Sequence, residues 1–329
     1  FPAVPRIWER MYSTSLVKMR DASFFKRLMF NFSLKLGNIA TERRLNKSFN
    51  DLIARILLLI AHILSFRTLK KKLGLSKIAI AISGAAPIAP EVLKFFMALG
   101  VPIFEAYGMT ENCAYVTSND FEIIEIGSVG RPHENCEIKI ADDGEILTRH
   151  GGTFKGYYKD EKSTKDVIDE EGWLHTGDVG KITEKGSLII TDRKKDIIVT
   201  SGGKNVSPSE IENKIKASPF IKDALVVGDR RKFLSCLVAI EFETVSNWAL
   251  RKKIPFTTYR DLTEKPEVRE LVSKEIIRAN EETSSLQVRK FELIPKELDH
   301  EDGELTATQK IKRNVIIEQF SELVESMYK

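Results

Sequence analysis

Ile78-Ala79-Ile80-Ala81-Ile82-Ser83-Gly84-Ala85-Ala86-Pro87, answered further on by Val101-Pro102-Ile103-Phe104-Glu105-Ala106-Tyr107-Gly108, is the stretch on which the fold turns. Residues 78–82 form a short apolar run suited to a strand buried on both faces, and residues 83–87 break it. Pro90 then opens a helix in which Val92, Phe95, Phe96 and Leu99 recur on one face, and Gly100 closes it. Residues 101–106 return as a second apolar strand. A crossover helix forces two such strands parallel, so residues 84–87 and 107–111 should flank one crevice at the carboxyl ends of the strands.

Downstream, from about residue 127, short strands and tight turns take over. Asp142-Asp143-Gly144 predicts a hairpin turn between strands 137–140 and 145–148, and a further strand at 187–191 leads into the charge cluster Asp192-Arg193-Lys194-Lys195-Asp196. The main boundary falls there, dividing the chain into 1–194 and 195–329. Beyond it, Ser207-Pro208-Ser209-Glu210 predicts a capping box ahead of a short helix with Ile211 and Ile215 on one face. Strands at 224–227 and 236–242, a helix at 266–280, a strand at 291–294 and a last amphipathic helix after Asn314 complete a small α+β domain. Upstream, the most apolar stretch is 53–66, interrupted by Arg55 and His62 and shorter than the about 20 apolar residues of a membrane span. A buried helix is expected there. The alternative is a helix lying on a membrane surface, helped by Arg67, Lys70, Lys71 and Lys72.

With 329 residues, 42% of them hydrophobic and 30% charged, the chain can bury a core, which excludes a disordered or disulfide-dense class. A net charge of +4 is too mild for a dedicated nucleic-acid binder. Cys113, Cys136 and Cys236 are scattered, without a CxxC pair, so neither a zinc site nor a disulfide framework is expected and a reducing, cytoplasmic setting is favoured.

Five phrases stand in order: Ser83-Gly84-Ala85-Ala86-Pro87, Tyr107-Gly108-Met109-Thr110-Glu111, Thr176-Gly177-Asp178, Asp192-Arg193-Lys194-Lys195-Asp196 with Gly202-Gly203, and Thr308-Gln309-Lys310-Ile311-Lys312-Arg313. Together they resemble the adenylate-forming superfamily of acyl-CoA synthetases and luciferase-like ligases. Val4-Pro5-Arg6-Ile7-Trp8-Glu9 and the insert before Ile78 are similar to its long-chain fatty acyl-CoA synthetase branch. The resemblance implies an α/β fold: part of a large AMP-binding domain, made of the parallel β-α-β unit and a small barrel-like lobe, followed by a small mobile domain.

It also implies roles. Gly84, Ala85 and Ala86 would lie flat against adenine, with Tyr107 stacked opposite and Gly108 beside it. Thr110 would meet a phosphate oxygen, and Glu111 would hold the Mg²⁺ that ATP carries in. Asp178 would accept the ribose diol with support from Arg193, while Lys194 reads as a solvated charge. Lys195 would be the hinge, and Gly203 would let the pantetheine arm of CoA pass. Thr200-Ser201-Gly202-Gly203-Lys204 fails the Walker pattern. Lys310 would stabilise the charge that builds up at the carboxylate and α-phosphate during adenylation. Gln309 and Ala307 depart from the usual Gly and Pro, and Lys312 and Arg313 read as surface or phosphate-steering charges.

The expected reaction is fatty acid, ATP and CoA to acyl-CoA, AMP and diphosphate through an acyl-adenylate. A fatty acyl-AMP ligase serving a carrier protein is an alternative, disfavoured by the short polar stretch from Tyr157-Tyr158 to Thr176. A non-catalytic nucleotide- or acyl-binding module is another. The family's Ser/Thr/Gly-rich phosphate loop does not occur in the sequence, and Phe1 opens inside an apolar phrase. A C-terminal portion of a longer enzyme is therefore expected, inactive alone and able to touch the inner face of a membrane.

Overall fold

The computed structural model describes residues 1–46, 50–122, 124–281, 283, 286–306 and 310–329. Contacts divide them into two compact units, Phe1–Lys195 and Asp196–Lys329.

The first unit contains the expected β-α-β element. Strand Ala81–Ser83 runs parallel to Ile103–Tyr107 in the register Ala81↔Ile103, Ile82↔Phe104 and Ser83↔Glu105, and helix Pro90–Ala98 crosses between them. Pro90 starts that helix, and Gly100, at φ +75°, lies just past its end. Phe95, Phe96 and Leu99 are buried as the periodicity requires. The first strand is shorter and later than expected: Ile78 and Ile80 precede it, and Ile80 is 49% exposed, so the run 78–82 is not buried on both faces. A two-residue strand, Pro2–Ala3, adds to Ala81–Ser83 in parallel, and Thr117–Ser118 and Arg131–Pro132 extend the other edge antiparallel.

A second sheet carries Glu137–Ile140, Glu145–Arg149, Leu174–Ile182 and Leu188–Arg193, all antiparallel. Tyr107 of the first sheet and Val116, just before Thr117–Ser118, pack with Cys136, Ile146 and Leu188 from the second-sheet region. That cluster fixes the end of strand Ile103–Tyr107 against the antiparallel lobe.

The helical insert departs from expectation. Helix Phe24–Asn46 packs along a helical stretch, Leu52–Lys72, that contains a π-turn at His62–Phe66. Asp51 caps the second helix by accepting the Ala54 amide at 2.8 Å and also takes the Arg43 guanidinium. Only Ala54, Ala61, Phe66 and Leu69 of this stretch are buried. Leu52, Ile53, Ile56, Leu59, Ile60, Ile63 and Leu64 are exposed, so it is not the buried helix expected from composition. It is long and apolar enough to cross a membrane.

The second unit is built on a three-stranded sheet, Ile221–Val227, Leu234–Ile240 and Val288–Leu293. Alternate side chains go to opposite faces. Ala224, Val226, Cys236 and Val238 pack with helices Pro208–Lys216, Phe242–Arg251 and Pro266–Glu281. Leu225, Val227, Leu237 and Ala239 pack with Ile316 and Val324 of the terminal helices Arg313–Gln319 and Ser321–Ser326 and with Phe320 between them. Phe242 belongs to a helix rather than to the expected strand 236–242. Ser207 makes no side-chain cap bond, and Glu210 instead pairs with Lys214 at 2.9 Å.

Candidate nucleotide site

The turn Thr176-Gly177-Asp178 lies within strand Leu174–Ile182, and its three residues are each pinned from a different direction. Thr176 donates its hydroxyl to the Ile146 carbonyl at 2.7 Å and accepts the Asp178 amide at 3.2 Å. Gly177, at φ +70°, adopts the left-handed conformation that glycine takes without strain. Asp178 is 8% exposed. Its Oδ2 accepts the Tyr107 hydroxyl at 2.7 Å, and its Oδ1 lies 3.4 Å from Arg193 Nε across the strand pair Asp178↔Arg193. Burial first, and then the charge of Asp178, push the Tyr107 phenol above its usual range, so it stays protonated as a donor. Tyr107, Asp178 and Arg193 therefore form one constellation from three strands.

The small residues of the first loop sit beside it for a steric reason the sequence did not reveal. A Cβ on Gly84 would approach the Ala106 carbonyl to 3.2 Å, a tight contact with the neighbouring strand that favours glycine there. Ala85 is exposed and left-handed at φ +70°, and Ala86 is half-buried. At Gly108 a Cβ would fall 2.4 Å from the Ala114 backbone, where nothing can give way. Gly108 is required by that close approach.

Thr110 and Glu111 form a single 3₁₀ turn, Thr110–Asn112, not the start of a longer helix. Buried Asn112 closes the turn by accepting the Met109 amide at 2.7 Å. Thr110 is exposed, and Glu111 is half-buried. Glu111 Oε1 accepts the Tyr157 hydroxyl at 2.9 Å, and its carbonyl takes the Phe154 amide at 2.8 Å. Burial, then Glu111, raise the Tyr157 phenol above its usual value, so Tyr157 remains a donor. A single carboxylate of this kind suits a Mg²⁺ that arrives with substrate phosphates. Among the described residues, no group of three or more His, Cys, Asp or Glu could hold an ion by itself.

Two partners of this region escaped sequence reasoning. Tyr157 carried no signal beyond its place in a Tyr-Tyr pair. Lys194 is not a merely solvated charge: its Nζ lies 2.6 Å from Asp143 and 3.0 Å from Glu145. Lys195 is exposed within the 3₁₀ turn Lys194–Asp196, at the end of the first unit.

Gly203 and Lys310 belong to the second unit. Gly203, at φ +75°, is exposed near the tip of a hairpin between Ile198–Val199 and Asn205–Val206, with no atom within 4 Å of where its Cβ would be. Its amide donates to the Thr200 carbonyl at 2.9 Å, and this hairpin geometry is unlike a Walker loop. Lys310 is exposed beside the bridge Leu305↔Ile311, with its amide on Thr306 Oγ1 at 3.0 Å. Ala307, Thr308 and Gln309 lie outside the described residues. Arg313 is no surface charge: it bonds Glu212 at 2.6 Å and the Val226 carbonyl at 2.8 Å.

Two family models match this chain, the AMP-binding enzyme over residues 1–158 and the AMP-binding enzyme C-terminal domain over residues 195–329. The chain belongs to this adenylate-forming family. Among its relatives, the long-chain-fatty-acid–CoA ligase FadD15 of Mycobacterium tuberculosis is 34% identical over 328 residues, covering 99% of this chain and 54% of the relative. The peroxisomal long chain acyl-CoA synthetase 6 of Arabidopsis thaliana is 33% identical over 352 residues, covering 100% of this chain and 48% of the relative. The chain thus spans about half the length of the curated relatives it matches. In fold it is similar to the A domain of the carboxylic acid reductase from Segniliparus rugosus, a structure in complex with AMP and a co-purified carboxylic acid. That match has a TM-score of 0.67 and 21% identity, covering 99% of this chain and 46% of that one.

Proposed function

We propose that this chain carries the ribose-binding, hinge and adenylation-lysine parts of a long-chain fatty acid–CoA ligase that works through an acyl-adenylate. The observation that carries the proposal is the buried Asp178 carboxylate, held by Arg193 and by Tyr107 at the carboxyl end of the parallel strand Ile103–Tyr107. A cis-diol needs a fixed acceptor of this kind. Residues 84–86 supply a side-chain-poor loop just after the strand that pairs with Ile103–Tyr107, and Thr110 supplies a hydroxyl for a phosphate oxygen. Mg²⁺, held by Glu111 when ATP binds, would neutralise phosphate charge.

Lys310 is assigned to the first half-reaction, where its ammonium stabilises negative charge gathering on the carboxylate and α-phosphate. The second unit, Asp196–Lys329, is assigned a rotation about Lys195 that brings Gly203 to the CoA arm for thioester formation. The long-chain acyl preference rests on the 34% and 33% identity to named long-chain relatives.

The test is a pair of measurements. Titrating the chain with AMP should give saturable binding, and its absence overturns the nucleotide reading. In the enzyme that contains this chain, Lys310→Ala should cut adenylate formation by roughly 10²–10³. Thioester formation from preformed acyl-adenylate should survive, and equal loss of both steps overturns the assignment.

A membrane surface is the proposed partner of the exposed Leu and Ile face of Leu52–Lys72, with Arg67, Lys70, Lys71 and Lys72 meeting anionic headgroups. Flotation with vesicles of anionic lipid should carry the chain upward, while Ile56→Lys/Ile63→Lys should leave it at the bottom. Equal flotation of both rejects the contact.

A further inference from the structure

Behind the Thr176-Gly177-Asp178 turn lies a buried carboxylate to which no ligand contact is assigned. Glu145 opens the strand Glu145–Arg149 and is 6% exposed. Its Oε1 accepts the Gly177 amide at 2.9 Å, and its Oε2 lies 3.0 Å from Lys194 Nζ and 3.3 Å from His175 Nδ1. Burial alone would favour the neutral acid. The Lys194 ammonium and the Gly177 amide overcome it and hold Glu145 below the usual carboxylate range, so the ion pair is maintained at neutral pH.

The contacts close a ring. Asp178 is paired with Arg193 by strand register and by the 3.4 Å approach of the guanidinium. Arg193 is followed by Lys194, Lys194 binds Glu145, and Glu145 binds the amide of Gly177, which precedes Asp178. Asp143, from the hairpin turn before Glu145, takes the same ammonium at 2.6 Å and keeps it in place. Gly177 gives the turn before Asp178 backbone freedom, and the hydrogen bond from its amide to Glu145 restrains that freedom, with Lys194 holding Glu145 in turn.

We propose that Glu145 and Lys194 are positioning residues for ribose recognition: their ion pair holds the Gly177 peptide so that Asp178 presents its carboxylate to a cis-diol. This rests on the assignment of Asp178 to the ribose. Removing the ammonium should therefore cost discrimination between ribose and a sugar lacking the 2′-hydroxyl more than it costs adenine or phosphate binding.

The experiment compares binding of AMP and 2′-deoxy-AMP to the 329-residue chain by calorimetry, with melting temperatures measured alongside. The unsubstituted chain should prefer AMP by roughly tenfold or more, the scale of a hydrogen bond to a charged group. Lys194→Met should reduce that preference to about twofold, and Lys194→Arg should restore most of it. Glu145→Gln keeps the shape and an acceptor for Gly177 but loses the ion pair. It should show a reduced preference too, and it decides the question should Lys194→Met fail to fold. An undiminished preference in the folded variants overturns the positioning role while leaving Asp178 as the ribose contact. Absence of any preference in the unsubstituted chain overturns both.

Discussion

Glu105 shows what a single buried group can impose. It sits in the row Ser83↔Glu105 of the parallel strand pair, 7% exposed, and burial pushes its carboxyl up to about 8 against the opposing Gly127 amide. The native state therefore keeps a proton that the unfolded chain, near the ordinary 4.5, gives up. With the folded value above the unfolded one, native stability falls as pH rises from about 4.5 towards 8. Glu105→Gln should flatten that slope and raise the melting temperature at pH 8 above that of the unsubstituted chain. Thermal melts at pH 5 and pH 8 check it, and an unchanged slope counts against the buried acid. At Asp178 the expected loss is smaller. Tyr107→Phe removes one donor and should lower stability by about 1 kcal/mol, seen in urea unfolding, because a buried acceptor loses its partner.

Among the elements, the clamp on the terminal helices is the most consequential. Arg313, at the start of Arg313–Gln319, reaches Glu212 on helix Pro208–Lys216 and the Val226 carbonyl, while Glu212 also takes the Val226 amide at 2.7 Å. Burial raises the Glu212 carboxyl even beside this guanidinium, so removing Arg313 leaves an uncompensated acid. Arg313→Leu should cost about 3–5 kcal/mol, and Arg313→Leu/Glu212→Gln should recover part of it, because the amide needs no counter-ion and can still accept from Val226. Denaturant titrations of both variants check it. The β-α-β unit was legible because Pro90, Gly100 and the apolar spacing between them are local signals. Its first strand slipped because Ile and Ala alternate from Ile78 onwards with no breaker before Ala81. The strand Pro2–Ala3 left no local trace, since its pairing partner lies some eighty residues away. Arg313 read as a surface charge for the same reason: Glu212 is 101 residues earlier. The candidate site residues sit in phrases that are local in sequence, whereas Glu145, Lys194 and Tyr157 enter the site region through contacts that only folding creates.

For the molecule as a whole, the two units have cores of their own. Tyr107, Val116, Cys136, Ile146 and Leu188 cluster in the first, and the faces of the three-stranded sheet are covered in the second. Calorimetry should resolve two unfolding transitions. Glu105→Gln should move one and Arg313→Leu the other, and a joint shift of a single transition would reject the division. The exposed aliphatic row on Leu52–Lys72 has a consequence for the chain as a material. Seven Leu and Ile side chains facing water on one helix, with Phe24, Phe25, Leu28 and Phe32 exposed on its neighbour, form a surface that a net charge of only +4 does little to keep apart. Self-association at high concentration is the expected consequence, and Ile56→Lys/Ile63→Lys should lessen it in light scattering.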